Sequence, residues 1–202
     1  MKHLPLLVPV LLLLAACQSN PTTPAAEDAA PTATPPAQAK VTPANPEYIE
    51  AKMLTVNGRP CDALSTRDLT RQLGRPDSIA KGAVECGGQL ETSMDSPNGD
   101  FWYYGKTMFE VNGTRAVMTS FDVTSGKFQG KLGKLVLDQN TTLEDVRRFF
   151  PVAAEQADVP DTGRPGEGIS LPFFYNGAPT DASLMLLFKK GQLQEVEFFS
   201  PC

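Results

Sequence analysis

Leu64-Ser65-Thr66-Arg67-Asp68-Leu69-Thr70-Arg71-Gln72-Leu73-Gly74-Arg75-Pro76 and Thr141-Thr142-Leu143-Glu144-Asp145-Val146-Arg147-Arg148-Phe149-Phe150-Pro151 read alike. In each, a hydroxyl residue (Ser65 or Thr142) stands three positions before an acid (Asp68 or Asp145). A hydroxyl there accepts from an early backbone N–H, and the acid complements the positive end of the helix dipole. Apolar residues then recur at helical spacing, Leu69 and Leu73 against Val146 and Phe150, and each run stops at Gly or Pro. Two short helices are predicted.

Working outward, each helix follows a β-like run ending in turn residues, Met53–Gly58 and Leu135–Asn140. Each half then closes on a hairpin. The first turns at Asn112-Gly113, between Thr107–Val111 and Ala116–Val123; the second turns at Lys190-Gly191, between Leu184–Phe188 and Leu193–Phe199. Asp68 to Asp145 is 77 positions (145 − 68) and Gly113 to Gly191 is 78 (191 − 113), so two landmarks agree to one residue. The expectation is an α+β fold, a tandem repeat of a short helix packed on an antiparallel β-meander. Residues 47–130 would form the first repeat and 131–202 the second.

The front of the chain is of another kind. Met1-Lys2-His3 is short and cationic, and Leu4–Ala16 is apolar apart from two prolines. An apolar core of about 7–15 residues ending in small residues is a secretory signal, too short for a stable bilayer anchor. Leu14-Ala15-Ala16-Cys17 resembles the lipobox of bacterial lipoproteins. That resemblance implies cleavage after residue 16, diacylglycerol linked through a thioether to Cys17, and an acylated new amino group. Two or more acyl chains make attachment durable where one is marginal. An aspartate after the lipidated cysteine favours inner-membrane retention in Gram-negative lipoproteins. Gln18 stands there instead, which for such an envelope implies the outer membrane, facing the periplasm. Residues 17–46 continue in Pro, Ala and Thr with little apolar bulk, the composition of a disordered tether that holds the folded part off the lipid.

Charge and composition exclude several function classes. Lys2, Lys40, Glu27 and Asp28 fall in the signal and tether, so residues 47–202 keep the net charge of −5. Lys and Arg gather only in pairs such as Arg147-Arg148 and Lys189-Lys190, which argues against nucleic acid as a partner. The single histidine, His3, leaves with the signal, removing Ser-His-Asp and Cys-His nucleophiles and histidine metal ligands. Paired carboxylates remain possible chemistry, but no local pattern singles out a pair. The expectation is a protein that is not an enzyme and needs no cofactor or metal.

Beyond Cys17 there are Cys61, Cys86 and Cys202. An exported chain meets an oxidising compartment, where a compatible pair forms a disulfide. Cys61–Cys86 is the favoured pairing, closing a loop worth about 3 kcal/mol. Cys86–Cys202 is the alternative, should the terminal strand lie alongside.

Phe101-Trp102-Tyr103-Tyr104 is the densest aromatic stretch and holds the only tryptophan. On a strand, Trp102 and Tyr104 share one face and Phe101 and Tyr103 the other. If the Phe101 face packs on the helices, Trp102 and Tyr104 stand open as partner-binding anchors; the competing expectation is that all four complete a core. Tyr175, in Phe173-Phe174-Tyr175, poses the same choice.

The string Ser65-x-x-Asp68-Leu69-x-x-x-Leu73-Gly74-x-Pro76 resembles the helix signature of the small outer-membrane lipoprotein of the barrel-assembly machinery. It is also similar to the tandem domains of the β-lactamase inhibitor protein, which share a helix-plus-meander fold. The resemblance implies a module that binds other proteins with a sheet surface. The functional expectation is therefore a lipid-anchored envelope lipoprotein that binds an envelope protein without catalysis. The alternative is a periplasmic inhibitor or immunity-type protein that blocks an enzyme or toxin.

Overall fold

The structure is a computed structural model and describes residues 47–84, 88–90, 98–157 and 166–201. These lie within one compact unit, Pro43–Cys202. The signal, Cys17 and the tether up to residue 46 lie outside the described residues, as do Cys86 and Cys202.

Strands β1 (Leu54–Val56) and β2 (Arg59–Pro60) form a first hairpin, and β3 (Leu64–Ser65) leads into helix α1 (Thr66–Leu73). Then come β4 (Ser78–Ala80), β5 (Asp100–Tyr104), β6 (Thr107–Asn112), β7 (Arg115–Asp122), β8 (Gly130–Leu132) and β9 (Leu135–Leu137). Helices α2 (Leu143–Phe149) and α3 (Pro151–Glu155) precede β10 (Glu167–Tyr175), β11 (Ala178–Lys189) and β12 (Gln192–Phe199).

The strand pairing corrects the expected fold class. This is a mostly β structure of two antiparallel sheets, not a tandem repeat of a helix on a meander. One sheet runs β10-β11-β12-β7-β6-β5-β4, and the other runs β2-β1-β8-β9. β12, the last strand of the chain, pairs with β7 through Glu195↔Asp122, Val196↔Phe121 and Glu197↔Ser120. At its other end the same β7 edge pairs with β3, through Leu64↔Ala116 and Ser65↔Arg115. An edge strand carries a row of unpaired N–H and C=O groups, and joining the edges satisfies them. The two meanders therefore fuse into one sheet instead of closing separately. The second sheet draws β1 from before α1 and β8 and β9 from after β7, and the division at 130/131 falls inside β8.

The main core lies between the sheets and under α2 and α3. Leu54, Leu132 and Leu137 of the smaller sheet meet Phe121, Leu186 and Val196 of the larger one, with Val146 and Ala154 from the helices. A smaller cluster under α1 joins Leu69 to Phe109, Val111 and Ala116.

Local signals hold where their partners are near in sequence. The Ser65 hydroxyl accepts from the Asp68 N–H at 3.1 Å. Thr142 and Asp145 form the reciprocal box, with Asp145 N–H donating to Thr142 Oγ1 at 3.2 Å and Thr142 N–H to Asp145 Oδ2 at 2.9 Å. Lys190-Gly191 turns the last hairpin with positive φ at both residues, 54° and 75°. In the earlier hairpin Asn112 instead closes the ladder opposite Arg115, leaving Gly113 and Thr114 as the turn.

Thr142→Ala is expected to cost about 1 kcal/mol of stability, measured by denaturant unfolding at pH 7. The Thr142 hydroxyl and backbone N–H hold the Asp145 carboxyl below its ordinary value of 3.8. A depressed folded-state value gives stability that is complete above the unfolded pKa and lost as the pH falls through the folded one. The difference between the two proteins should therefore be constant above pH ~5 and narrow below pH ~4. A deficit that stays the same into strong acid would contradict the box.

Candidate functional site

The alternation expected of β5 holds, with the inward face assigned. Trp102 pairs with Phe109 across the ladder and, with Tyr104, packs on the cluster beneath α1. The Tyr104 ring meets Phe109 edge-on at 5.7 Å, and its hydroxyl donates to the Gly74 carbonyl at 3.2 Å. Burial pushes the Tyr104 phenol above its ordinary value. Trp102 and Tyr104 are thus half-buried on the helix side, and Phe101 and Tyr103 take the opposite face.

That opposite face is covered by the segment around Gln89 and Leu90. It includes Glu110, a 2 % exposed carboxylate that accepts from the Gln89 N–H at 2.6 Å and the Leu90 N–H at 2.9 Å. Gly88 lies so close that a Cβ there would fall 2.4 Å from Glu110 Oε1. The other buried acid, Asp122, accepts from the Thr124 N–H at 3.1 Å and hydroxyl at 2.6 Å. Both carboxylates are engaged in holding backbone.

Tyr175 has a different setting. β12 ends at Phe199, opposite Ser183 of β11, so the β10–β11 hairpin runs on past it. The hairpin turns at Asn176-Gly177, with φ of 51° and 79°, the conformation of a type I′ turn. At this end of the sheet Tyr48 stacks on Phe174 at 4.2 Å, and Phe173 lies parallel to Phe198 at 6.2 Å. Ile49 holds the incoming chain against β10, its N–H donating to the Pro172 carbonyl at 3.0 Å. Phe173, Phe174, Tyr175, Phe198 and Phe199 border a hollow of about 250 Å³. Tyr175 is 73 % exposed, Tyr48 49 % and Phe199 44 %. Exposed large rings gathered in one place are a signature of contact surfaces.

Cys61 and Asp62 stand between this hollow and a second one, a groove of about 430 Å³ between α1 and the β1–β2 hairpin. Cys61 is half-buried and packs on the main core; among the described residues it forms no disulfide. Burial, with Asp62 adding to it, pushes its thiol up to about 12. It is held as the thiol at neutral pH, a poor nucleophile. Among the described residues no group of three or more His, Cys, Asp and Glu side chains is placed to hold a metal ion.

Of the residues singled out in the sequence, Tyr175 alone lies on the exposed aromatic end. Trp102 and Tyr104 sit on the α1 side, and Cys61 lies between the hollows. Tyr48, Phe199 and the Asn176-Gly177 turn were not singled out, although Asn-Gly beside three aromatic residues was the available signal for the hairpin.

No protein-family model, curated protein or solved structure matches the chain.

Proposed function

We propose that the protein is a lipid-anchored envelope lipoprotein acting as a non-catalytic protein-binding module. Cys17 carries the anchor, the tether supplies reach, and the aromatic end of the larger sheet contacts an envelope protein. The observation that carries this reading is that Tyr175 and Phe199, both exposed, line one hollow beside the β10–β11 hairpin, with the exposed Tyr48 stacked on Phe174 of the same lining. Large rings bury much area for little rotamer loss, which suits them as anchors at the centre of an interface. The outer membrane, on its periplasmic side, is the proposed location, following the residue after Cys17.

The test is crosslinking capture from intact envelopes with the full chain. Tyr175→Ala is expected to weaken capture of the dominant partner roughly 30-fold, equivalent to about 2 kcal/mol, with the melting temperature unchanged. Cys17→Ser is expected to move the protein to the soluble fraction. Undiminished capture by Tyr175→Ala would remove the aromatic end from the interface, and a membrane-bound Cys17→Ser would remove the anchor.

A further inference from the structure

The groove beside α1 has a chemistry of its own. Its floor is Phe109, Met118 and Phe128, and its walls include Leu69 and Leu73 of α1 and Pro60 of β2. Leu73 is 36 % exposed and Arg59, Pro60 and Asp62 are exposed, so the groove opens to solvent and is not an internal packing void. At about 430 Å³ it has the size and apolar lining of a small-molecule site.

Among the described residues, the charged side chains that line it are Arg59 and Asp62. They stand three positions apart in sequence, with Pro60 and Cys61 between them. Neither side chain makes a hydrogen bond or ion pair among the described residues, and the two do not pair with each other. On the same helix as Leu69, Asp68 and Arg71 pair with each other. An apolar groove with one free cation and one free anion on its lining defines a ligand by complementarity. A purely anionic head would meet Arg59 but be opposed by Asp62, and a purely cationic head the reverse. A head bearing both charges engages both.

We propose that this groove binds a single-chain amphiphile with a zwitterionic head, the chemistry of a lysophospholipid. The acyl chain lies along Phe109, Met118 and Phe128, the phosphate faces Arg59, and the ammonium faces Asp62. The guanidinium fork suits phosphate oxygens, and each methylene entering the groove should tighten binding by up to about fourfold. The groove adjoins the aromatic hollow through Cys61 and Asp62, which line both, but the proposal does not depend on the partner placed at the aromatic end.

The experiment is titration of the full chain with alkylphosphocholines of eight, ten and twelve carbons below their micelle-forming concentrations, followed by calorimetry. Affinity should rise severalfold with each pair of methylenes, and Leu73→Trp, which fills the groove from an exposed position, should abolish it with the fold intact by melting temperature. Dodecylphosphocholine should bind better than dodecyl sulfate and better than dodecyltrimethylammonium. Asp62→Asn should erase the preference over the sulfate, and Arg59→Gln the preference over the ammonium, each by roughly two- to fivefold. Absence of binding overturns the proposal, as does binding indifferent to chain length or to Leu73→Trp. Stronger binding of dodecyl sulfate than of the zwitterion overturns the assignment of the head. If Leu73→Trp spares amphiphile binding but abolishes partner capture, the groove belongs to a protein interface and the proposal falls, whereas failure of Tyr175→Ala to affect capture leaves it standing.

Discussion

Phe121→Ala is expected to lower stability by about 4 kcal/mol, the largest effect of any single side-chain truncation considered for this fold. Phe121 is 0 % exposed and lies on β7 opposite Val196, where the two halves of the large sheet join. Its ring reaches across to the smaller sheet: a Cβ added at Gly130 of β8 would stand 2.8 Å from Phe121 Cζ. Truncation therefore removes contacts on both sheets and leaves a cavity that neither backbone can close, because both are held in ladders. For a domain of this size the melting temperature should fall by on the order of 10 °C. Val136→Ala, on β9 and 43 % exposed, is the matched control and should change stability by no more than about 0.5 kcal/mol. A Phe121→Ala protein within about 1 kcal/mol of the parent would mean that the sheets do not share a core there.

Glu110→Ala is expected to cost about 3 kcal/mol. The carboxylate is the acceptor for two backbone N–H groups, at Gln89 and Leu90. Its removal leaves the Leu90 N–H buried and the Gln89 N–H partly buried, both without their acceptor, and hydrogen bonds to a charged group are the stronger kind. Glu110→Gln is the more informative companion. The amide keeps the shape but offers one acceptor oxygen and presents its NH₂ to the other donor, so a smaller but still clear loss is expected. Hydrogen exchange at Gln89 and Leu90 should quicken in both variants, which separates loss of this contact from a general loosening. Unchanged exchange at those amides would contradict the arrangement.

The sequence was most readable where structure is local. The Ser65 and Thr142 caps, the ends of α1 and α2, and the Lys190-Gly191 turn all depend on residues within a few positions of one another. The fold class was misread because it depends on which distant edges meet. Nothing in β7 or β12 alone says that Phe121 will face Val196, and two similar helix-and-hairpin stretches fit a divided molecule as well as a continuous sheet. The inward face of β5 stayed open in the sequence for a related reason. Alternation separates Trp102 and Tyr104 from Phe101 and Tyr103, but aromatic residues on both faces leave no polarity contrast to name the inner one. Glu110 reads in sequence as an outward polar residue among apolar ones. It is buried because the segment holding Gln89 and Leu90, about twenty residues away, folds over it. The Arg59–Asp62 groove was invisible for the same reason, since its floor comes from β6, β7 and the stretch before β8.

The pairing of β7 with β12 also sets an order of events. Asp122 and Glu195 are 73 positions apart (195 − 122), and the second belongs to the final strand. Synthesis delivers a chain N-terminus first, so the junction of the two halves must wait until β12 has emerged, although β4–β7 and the β10–β11 hairpin pair without it. Contacts so distant along the chain form slowly, so two hairpin stacks can stand side by side before the strand that fuses them is in place.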